Sequence, residues 1–359
     1  MTILVVDVAA ESGGALSVLT DFHRYLLQNE ENLTDVWIFL TSVVELSETE
    51  HIRNIRFPEV KKSWGSRLKW EYSVLPNVVK EQGADAVLSL QNNAFPAVHC
   101  PQVVYFHNML LLPGKARFSP MNNEERMLWV YTRVLGPYIR STWKHANRLI
   151  VQGDFVKAAA APYFKCEPID VVKPYSRVAH PKKAGQITGY VYPTGASSYK
   201  CIEDVVEAAR YLQEEGLSPE ILLTITGEEN NYTRRIRAMA EGLPNVRLTG
   251  RLKRDDLLEL YATHGLLCTS LVESYPIPFQ EAMQYGTVIV SYKEPYAVED
   301  LQDSGYNRIR LTDRSPRALA DAMKSGLSDT QVGNFTMNAD GENWGKVVED
   351  VREAGNNSR

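Results

Sequence analysis

The strongest constraint on the fold is the alternation of short apolar runs with longer amphipathic segments along the chain. The first half holds predicted strands at residues 3–8, 36–40, 86–90, 102–106 and 148–152. The second half holds predicted strands at residues 189–192, 221–226, 246–249, 265–269 and 288–291. The predicted helices between and after them are residues 15–28, 124–143, 202–215, 232–241, 254–262 and 316–325. Strands that alternate with helices predict parallel sheets with helices on both faces, so the expected class is α/β.

The two series of strands predict two domains. A chain of 359 residues is longer than one typical hydrophobic core supports. The join is expected in the Pro-, Gly- and Lys-rich segment 173–189, which lacks periodicity. The predicted domains are therefore residues 1–175 and 186–330.

A third segment, residues 331–359, ends in a predicted helix at 343–354. Trp344, Val347 and Val351 fall on one face of that helix. The apolar face predicts packing either on the helix's own domain or back on the N-terminal domain.

Composition and charge exclude several classes of protein. The chain is 44% hydrophobic and 23% charged, as is usual for globular proteins in water. A net charge of −5 argues against a nucleic-acid binder. No run of eighteen apolar residues and no signal-peptide pattern is found, so a cytoplasmic location is expected. The four scattered cysteines are expected to be reduced and to bind no metal: Cys100, Cys166, Cys201 and Cys268.

The chemistry of the chain is concentrated in residues 273–291. Glu273 and Glu281 flank a Pro-containing loop that leads into a predicted helix, and Gly286 and a strand follow. The start of a helix offers unpaired N–H groups and a positive dipole end, which suit a phosphate. Carboxylates accept hydrogen bonds from hydroxyl groups, which suits sugars. A nucleotide diphosphate sugar requires both properties.

This segment resembles the donor-binding signature of the retaining family-4 glycosyltransferases. The matching residues are Glu273, Ser274, Pro278, Glu281, Ala282, Met283, Gly286, Ile289 and Ser291. Two residues depart from the family pattern: Pro276 replaces a Gly and thereby removes an N–H donor, and Val288 replaces a common Pro. The resemblance implies the GT-B fold, in which two Rossmann-like domains face each other across a cleft.

The resemblance also implies roles for residues of the second half. Glu273 would bind the hydroxyls of the donor sugar, Ser274 would belong to the donor-binding site, and Glu281 would bind the ribose hydroxyls. Lys200 and the N–H groups around Tyr275 and Ile277 would stabilise the charge of the leaving diphosphate. The matching family motif also carries an Arg, and Gly195 stands at its place in this chain. Arg251, after a predicted strand, is expected beside the nucleotide.

Two positions of the first half complete the expected site. Gly13 and Gly14 follow the first predicted strand, where Gly allows a ligand to approach the backbone closely. His107 follows another strand at the edge where open α/β sheets bind ligands. By resemblance it contacts the donor sugar, and we expect it to donate a hydrogen bond to a sugar hydroxyl.

A basic and aromatic segment at residues 51–72 stands apart from these motifs. It contains Arg53, Arg56, Lys61, Lys62, Arg67 and Lys69, together with two acids, Glu59 and Glu71. Basic residues interleaved with Trp favour an anionic membrane surface or a lipid-diphosphate acceptor. A solvated basic loop is the alternative.

The residues and the resemblance together predict an enzyme of the hexosyltransferase type. It would move a sugar from a nucleotide diphosphate sugar to a glycan or lipid-linked acceptor in surface polysaccharide assembly, and the resemblance implies retention at the anomeric carbon. No cofactor and no bound metal are expected, and a peripheral position at the inner membrane face fits the basic segment. A sugar-nucleotide epimerase of the same fold remains an alternative. A catalytically silent binding scaffold is a third reading, which the missing Arg supports.

Overall fold

The computed structural model describes residues 1–11, 13–114, 116–165, 168–174, 176–302, 304–335 and 344–357. The chain divides into two compact units. Within the described residues, the first unit comprises 1–113, 131–174 and 344–357, and the second comprises 114–130 and 176–335.

The first unit is built on a seven-stranded sheet in which every strand pair is parallel. Its strands are β1 Thr2–Asp7, β2 Val36–Thr41, β3 Ile52–Arg56, β4 Ala86–Ser89, β5 Gln102–Phe106, β6 Arg148–Val151 and β7 Ile169–Val171. They lie in the order β3-β2-β1-β4-β5-β6-β7. Val6 lies opposite both Leu40 and Ser89, so the carboxyl ends of β1, β2 and β4 meet at one edge.

The helices of residues 13–160 connect these strands. They are α1 Gly13–Gln28, α2 Trp64–Lys69, α3 Leu75–Glu81, α4 Arg126–Val130, α5 Gly136–Thr142 and α6 Asp154–Ala160. The helix predicted at residues 124–143 is divided by a π-helical turn at Tyr131–Leu135. Another π-helical turn, Trp70–Val74, joins α2 to α3, and 3₁₀ turns occur at Glu30–Asn32, Pro58–Lys62, Met109–Leu111 and Trp143–His145.

The second unit is built on a six-stranded sheet, which is also parallel. Its strands are β8 Gly189–Tyr192, β9 Glu220–Leu223, β10 Val246–Leu248, β11 His264–Cys268, β12 Ile289–Tyr292 and β13 Ile309–Thr312, in the order β10-β9-β8-β11-β12-β13. Its helices are α7 Ile202–Glu214, α8 Asn231–Met239, α9 Arg254–Leu260, α10 Ile277–Tyr285, α11 Pro295–Ala297 and α12 Pro316–Leu327. The buried apolar side chains of α7 and α12 pack with those of β8, β9 and β12 in one core.

The last helix, α13 Trp344–Asn356, belongs to the first unit. Trp344 packs 5.0 Å from Phe22 and 5.2 Å from Tyr105, measured between ring centroids. Buried Asp350 of α13 pairs with Arg148 of β6. The helix therefore completes the core of a unit whose sheet is formed by residues 2–171. Residue 343, where the predicted helix starts, lies outside the described residues.

Candidate functional site

Two predicted site residues of the second unit, Lys200 and Glu273, form a direct ion pair. Lys200 ends a 3₁₀ turn before α7, and Glu273 lies in the loop between β11 and α10. Thr269 and Tyr192 each donate a side-chain hydrogen bond to the carbonyl oxygen of Lys200, at 2.8 and 2.9 Å. These bonds fix the backbone that carries the ammonium group.

The ammonium of Lys200 is held in its charged form by this partner. The side chains of Lys200 and Glu273 are only 15% and 21% exposed. Burial is the largest single influence and acts to lower the pKa of Lys200. The charge and hydrogen bond of Glu273, together with Tyr199 and Cys268, outweigh it and raise that pKa above its ordinary value. Because the pair is neutral overall, an anionic ligand has to compete with Glu273 for the ammonium.

The start of α10 offers fewer backbone donors than an ordinary helix. Pro276 is the N-cap residue and Pro278 is the second helical residue, so neither has an N–H group. The N–H of Phe279 donates to the carbonyl of Pro276 at 2.9 Å. Among the residues described, the N–H of Ile277 has no acceptor. It is therefore the donor at this helix start best suited to an anion.

Ser274 and Tyr275 precede that helix. The hydroxyl of Tyr275 accepts a hydrogen bond from the side chain of Gln280, in the first turn of α10. This hydrogen bond restrains the Tyr275 side chain against the helix.

Glu281, expected at the ribose, is buried inside α10 and is paired with Arg254. Arg254 Nε and Nη2 lie 3.1 and 2.9 Å from Glu281 Oε1. Ser176 Oγ donates to the same oxygen at 3.0 Å and accepts from Arg254 Nη2 at 2.8 Å. Sequence reasoning missed both partners, and the only signal was an Arg at the start of a predicted helix.

Arg251, expected beside the nucleotide, is exposed and lies three residues before Arg254. Within the described residues it has no ion-pair partner. Gly195, at the place of the family's Arg, has open space around the position of a Cβ atom.

The glycine loop of the first unit leads directly into α1. Gly13 has φ of +62°, a conformation in which other residues are strained, and it is the first residue of the helix. A Cβ atom added to Gly13 or Gly14 would meet no neighbouring atom within 4 Å, so space beside both residues is open. Ser12, the residue before Gly13, lies outside the described residues.

His107 follows β5 and is bound to the loop after β4. Its Nε2 lies 2.8 Å from the carbonyl oxygen of Leu90, and its N–H donates to Asn92 Oδ1 at 2.8 Å. Burial lowers the pKa of His107, so the ring is neutral near pH 7 and its proton is on Nε2. The expected contact of His107 with a hydroxyl of the donor sugar stays a prediction. Nδ1 carries no proton here and can only accept from a hydroxyl.

Asp7, at the carboxyl end of β1, is a buried acid that sequence reasoning did not select. Burial raises its pKa to about 7, against the effects of the Ala10 N–H, 3.1 Å away, and of the charges of Arg67 and Lys61. Its Oδ2 atom has no partner among the described residues. The same edge of the sheet carries Ser89 and Gln91, each of which also has a buried oxygen without a described partner.

The basic segment at residues 51–72 is structured rather than a loop, and it contains β3 and α2. Several of its charges are paired with acids: Arg56 with Glu45, Lys61 with Glu11, and Arg67 with Glu71. Lys62 and Lys69 are exposed and have no ion-pair partner in the part of the chain that is described.

One face of the helix in this segment is apolar and exposed. Trp64, Leu68 and Tyr72 are 57%, 41% and 45% exposed and recur every four residues along the helix. We call these three residues the apolar stripe.

No group of three or more His, Cys, Asp or Glu side chains in the described residues is arranged to hold a metal ion. Among those residues, no helix has both the length and the apolar character needed to cross a membrane.

Residues 188–340 match the protein family described as Glycosyl transferases group 1. The matched range contains the Lys200–Glu273 and Arg254–Glu281 pairs. No curated protein sequence matches the chain.

Solved structures with the same fold cover between 92% and 99% of the chain. Sucrose-phosphate synthase from Thermosynechococcus elongatus has a TM-score of 0.70 at 14% identity, over 99% of this chain and 97% of its own. Anabaena HepE, in complex with UDP and glucose, has a TM-score of 0.65 at 16% identity, over 99% and 98%. The lipopolysaccharide glycosyltransferase WaaG has 0.66 at 17% identity, over 92% and 91%.

These likenesses and the two parallel-sheet units confirm the predicted GT-B fold. Together with the family match, they support a glycosyltransferase that uses a sugar donor.

Proposed function

We propose that this protein transfers a hexose from a nucleotide diphosphate sugar to a hydroxyl group of a glycan or lipid-linked acceptor, with retention at the anomeric carbon. The Lys200–Glu273 pair beside the start of α10 carries the proposal, because it combines a cation for phosphate with a carboxylate for sugar hydroxyls. This pair lies in the region that matches the glycosyltransferase family. The HepE structure, which contains UDP and glucose, supports the same class of donor.

In this proposal Lys200 and the N–H of Ile277 bind the diphosphate. As the bond between the sugar and the diphosphate breaks, negative charge grows on the leaving oxygen, and a fixed ammonium stabilises it. Glu273, which stays beside Lys200, accepts hydrogen bonds from donor-sugar hydroxyls. Glu281 accepts hydrogen bonds from the ribose, and His107 contacts a sugar hydroxyl. The reaction needs no cofactor, and Lys200 supplies the charge that a metal ion would otherwise supply.

Calorimetric binding of UDP, GDP, dTDP and ADP, each with and without a common hexose, tests the donor site. We expect one nucleotide to bind selectively. Glu281→Ala should weaken that binding while the thermal unfolding curve stays cooperative, whereas Arg247→Ala, which breaks an exposed pair on β10, should not. If no nucleotide binds the wild-type protein, the donor-site proposal is wrong, and Gly195 in place of the family's Arg would favour a binding scaffold.

Transfer to an added acceptor separates a transferase from an epimerase. Incubation with the bound nucleotide sugar and a glycan mixture should release the nucleoside diphosphate and form a new glycoside whose anomeric configuration NMR can read. Conversion of the nucleotide sugar to its epimer without acceptor would refute the transferase.

We also propose that the enzyme lies in the cytoplasm and binds anionic membrane peripherally through the apolar stripe. Trp64, Leu68 and Tyr72 are exposed. Lys62 precedes Trp64 by two residues and Lys69 follows Leu68, and both lysines are exposed and have no ion-pair partner among the described residues. Apolar side chains enter the interface while lysines attract anionic headgroups.

Co-sedimentation with vesicles of phosphatidylglycerol and phosphatidylcholine tests this membrane contact. Trp64→Ser with Leu68→Ser should reduce the bound fraction severalfold, and Val332→Ser, at an exposed apolar residue of the second unit, should not. Equal binding of both variants, or no binding by the wild type, would reject the stripe as a membrane contact.

A further inference from the structure

The ion pair between Arg254 and Glu281 has a geometry that differs from an ordinary surface pair. Arg254 donates from both Nε and Nη2 to a single oxygen, Oε1, of Glu281. Ser176 Oγ donates to this same oxygen. Three donors on one carboxylate oxygen fix the rotation of the carboxyl group and concentrate its hydrogen-bonding capacity on the other oxygen, Oε2.

The two partners differ strongly in exposure. The Glu281 side chain is 5% exposed, whereas the Arg254 side chain is 52% exposed. An exposed arginine loses side-chain entropy when three hydrogen bonds hold it. An ion pair between two exposed groups therefore contributes little to the free energy of folding. Here the contact mainly stabilises the buried carboxylate of Glu281, because a carboxylate away from water requires a fixed cation and hydrogen bonds.

Ser176 is itself held in place by α10. Its N–H donates to Gln280 Oε1 at 2.9 Å, and its carbonyl accepts from Gln284 Nε2 at 2.6 Å. The hydroxyl that contacts both Glu281 and Arg254 is therefore anchored on the helix that carries Glu281. The three groups form a rigid cluster on α9, α10 and the segment before β8.

We propose that Arg254 is a positioning residue that, with Ser176, fixes the Glu281 carboxylate so that its second oxygen binds the ribose hydroxyls of the nucleotide. The proposal rests on the proposed function, because it assigns a role within the same donor site. Arg254 acts through Glu281 and makes no contact with the ribose. Its removal should therefore reduce the contribution of the ribose hydroxyls and leave the contributions of the base and the diphosphate.

Binding of a nucleotide and of its analogue without ribose hydroxyls tests this role. The nucleoside diphosphate that binds the wild-type protein is compared by calorimetry with its 2′,3′-dideoxy counterpart (the 3′-deoxy form in the case of dTDP). A hydrogen bond to a charged group is worth roughly tenfold or more in affinity, so the wild type should prefer the natural nucleotide by about that factor. Arg254→Ala should reduce this preference to about twofold or less.

Arg254→Lys should give an intermediate preference, since lysine keeps the charge but not the two-donor geometry. Arg247→Ala, which removes an exposed partner of Glu220 on the neighbouring strand, should keep the full preference. Should Arg254→Ala fail to fold, the reduced preference of Arg254→Lys decides the question.

Two results would overturn the proposal while the donor site stands. The first is a full ribose preference in both Arg254 variants. The second is equal weakening of the natural and dideoxy nucleotides, which would mean that Arg254 binds the phosphate or base directly. A wild-type protein that binds no nucleotide would instead refute the proposed function itself.

Discussion

Replacement of Lys200 by Met should weaken nucleotide binding by more than the loss of one attraction. Lys200 Nζ contacts Glu273 directly, so a phosphate oxygen that Lys200 binds lies about 5 Å from that carboxylate, given ordinary hydrogen-bond lengths. Without the ammonium, the two negative charges remain in proximity. At an effective dielectric constant of about 20, their repulsion is about 3 kcal/mol, which is roughly a hundredfold in affinity.

The double variant separates repulsion from lost attraction. Lys200→Met with Glu273→Gln should regain roughly tenfold to a hundredfold of the affinity that Lys200→Met loses, because a neutral amide replaces the repelling carboxylate. Glu273→Gln alone should bind the nucleoside diphosphate more tightly than the wild type, since the phosphate no longer competes for Lys200.

Calorimetry at low and high salt, with thermal unfolding of each variant as the control for folding, measures these effects. If the double variant binds no better than Lys200→Met, Glu273 does not oppose the phosphate and the electrostatic reasoning is wrong.

Two further predictions concern stability. The ordinary pKa of Asp7 is 3.8, and burial raises it to about 7 in the folded protein. The contribution of the protonated carboxyl group to the free energy of unfolding is therefore complete below pH 4 and is lost as the pH rises to 7. Asp7→Asn should therefore become more stable relative to the wild type across this interval, by up to about 4 kcal/mol, in urea titrations at pH 4 and pH 8; an unchanged difference would contradict the raised pKa. Trp344→Ala should lower the free energy of unfolding by about 3–5 kcal/mol, since it opens a cavity between Phe22 and Tyr105, and Val332→Ala, at an exposed position, should change it little. A Trp344→Ala protein as stable as the wild type would show that α13 contributes little to that core.

The strands that are buried on both faces could be predicted from the sequence. All ten predicted strands are present, most of them shifted by a residue or two at their ends. β3 was missed because Ile-Arg-Asn-Ile-Arg alternates apolar and polar residues at the edge of the sheet, and the basic residues resembled a loop. β7 and β13 were also missed; β7 has three residues and β13 has four, and both are edge strands.

The candidate site was predictable where residues lie close together in sequence. Glu273, Glu281 and the start of α10 follow from one continuous motif, and Lys200 follows from another. Arg254 and Ser176 could not be found in this way, because they reach Glu281 from 27 and 105 residues away. The burial of Asp7 could not be predicted from the sequence, since an acid at the end of a strand is usually solvated and its burial depends on the whole sheet.

The position of α13 in the chain determines when the core of the first unit can form during synthesis. The ribosome synthesises the second unit's residues 176–335 before it reaches Trp344, yet the core around Phe22 and Tyr105 includes Trp344, Val347 and Val351. During synthesis the second unit can fold while that core still exposes an apolar surface. Arg352 of the same helix pairs with Asp35, so this ion pair also waits for the synthesis of α13. The core of the first unit can therefore close only after α13 has been synthesised, and chaperones can bind its apolar surface until then.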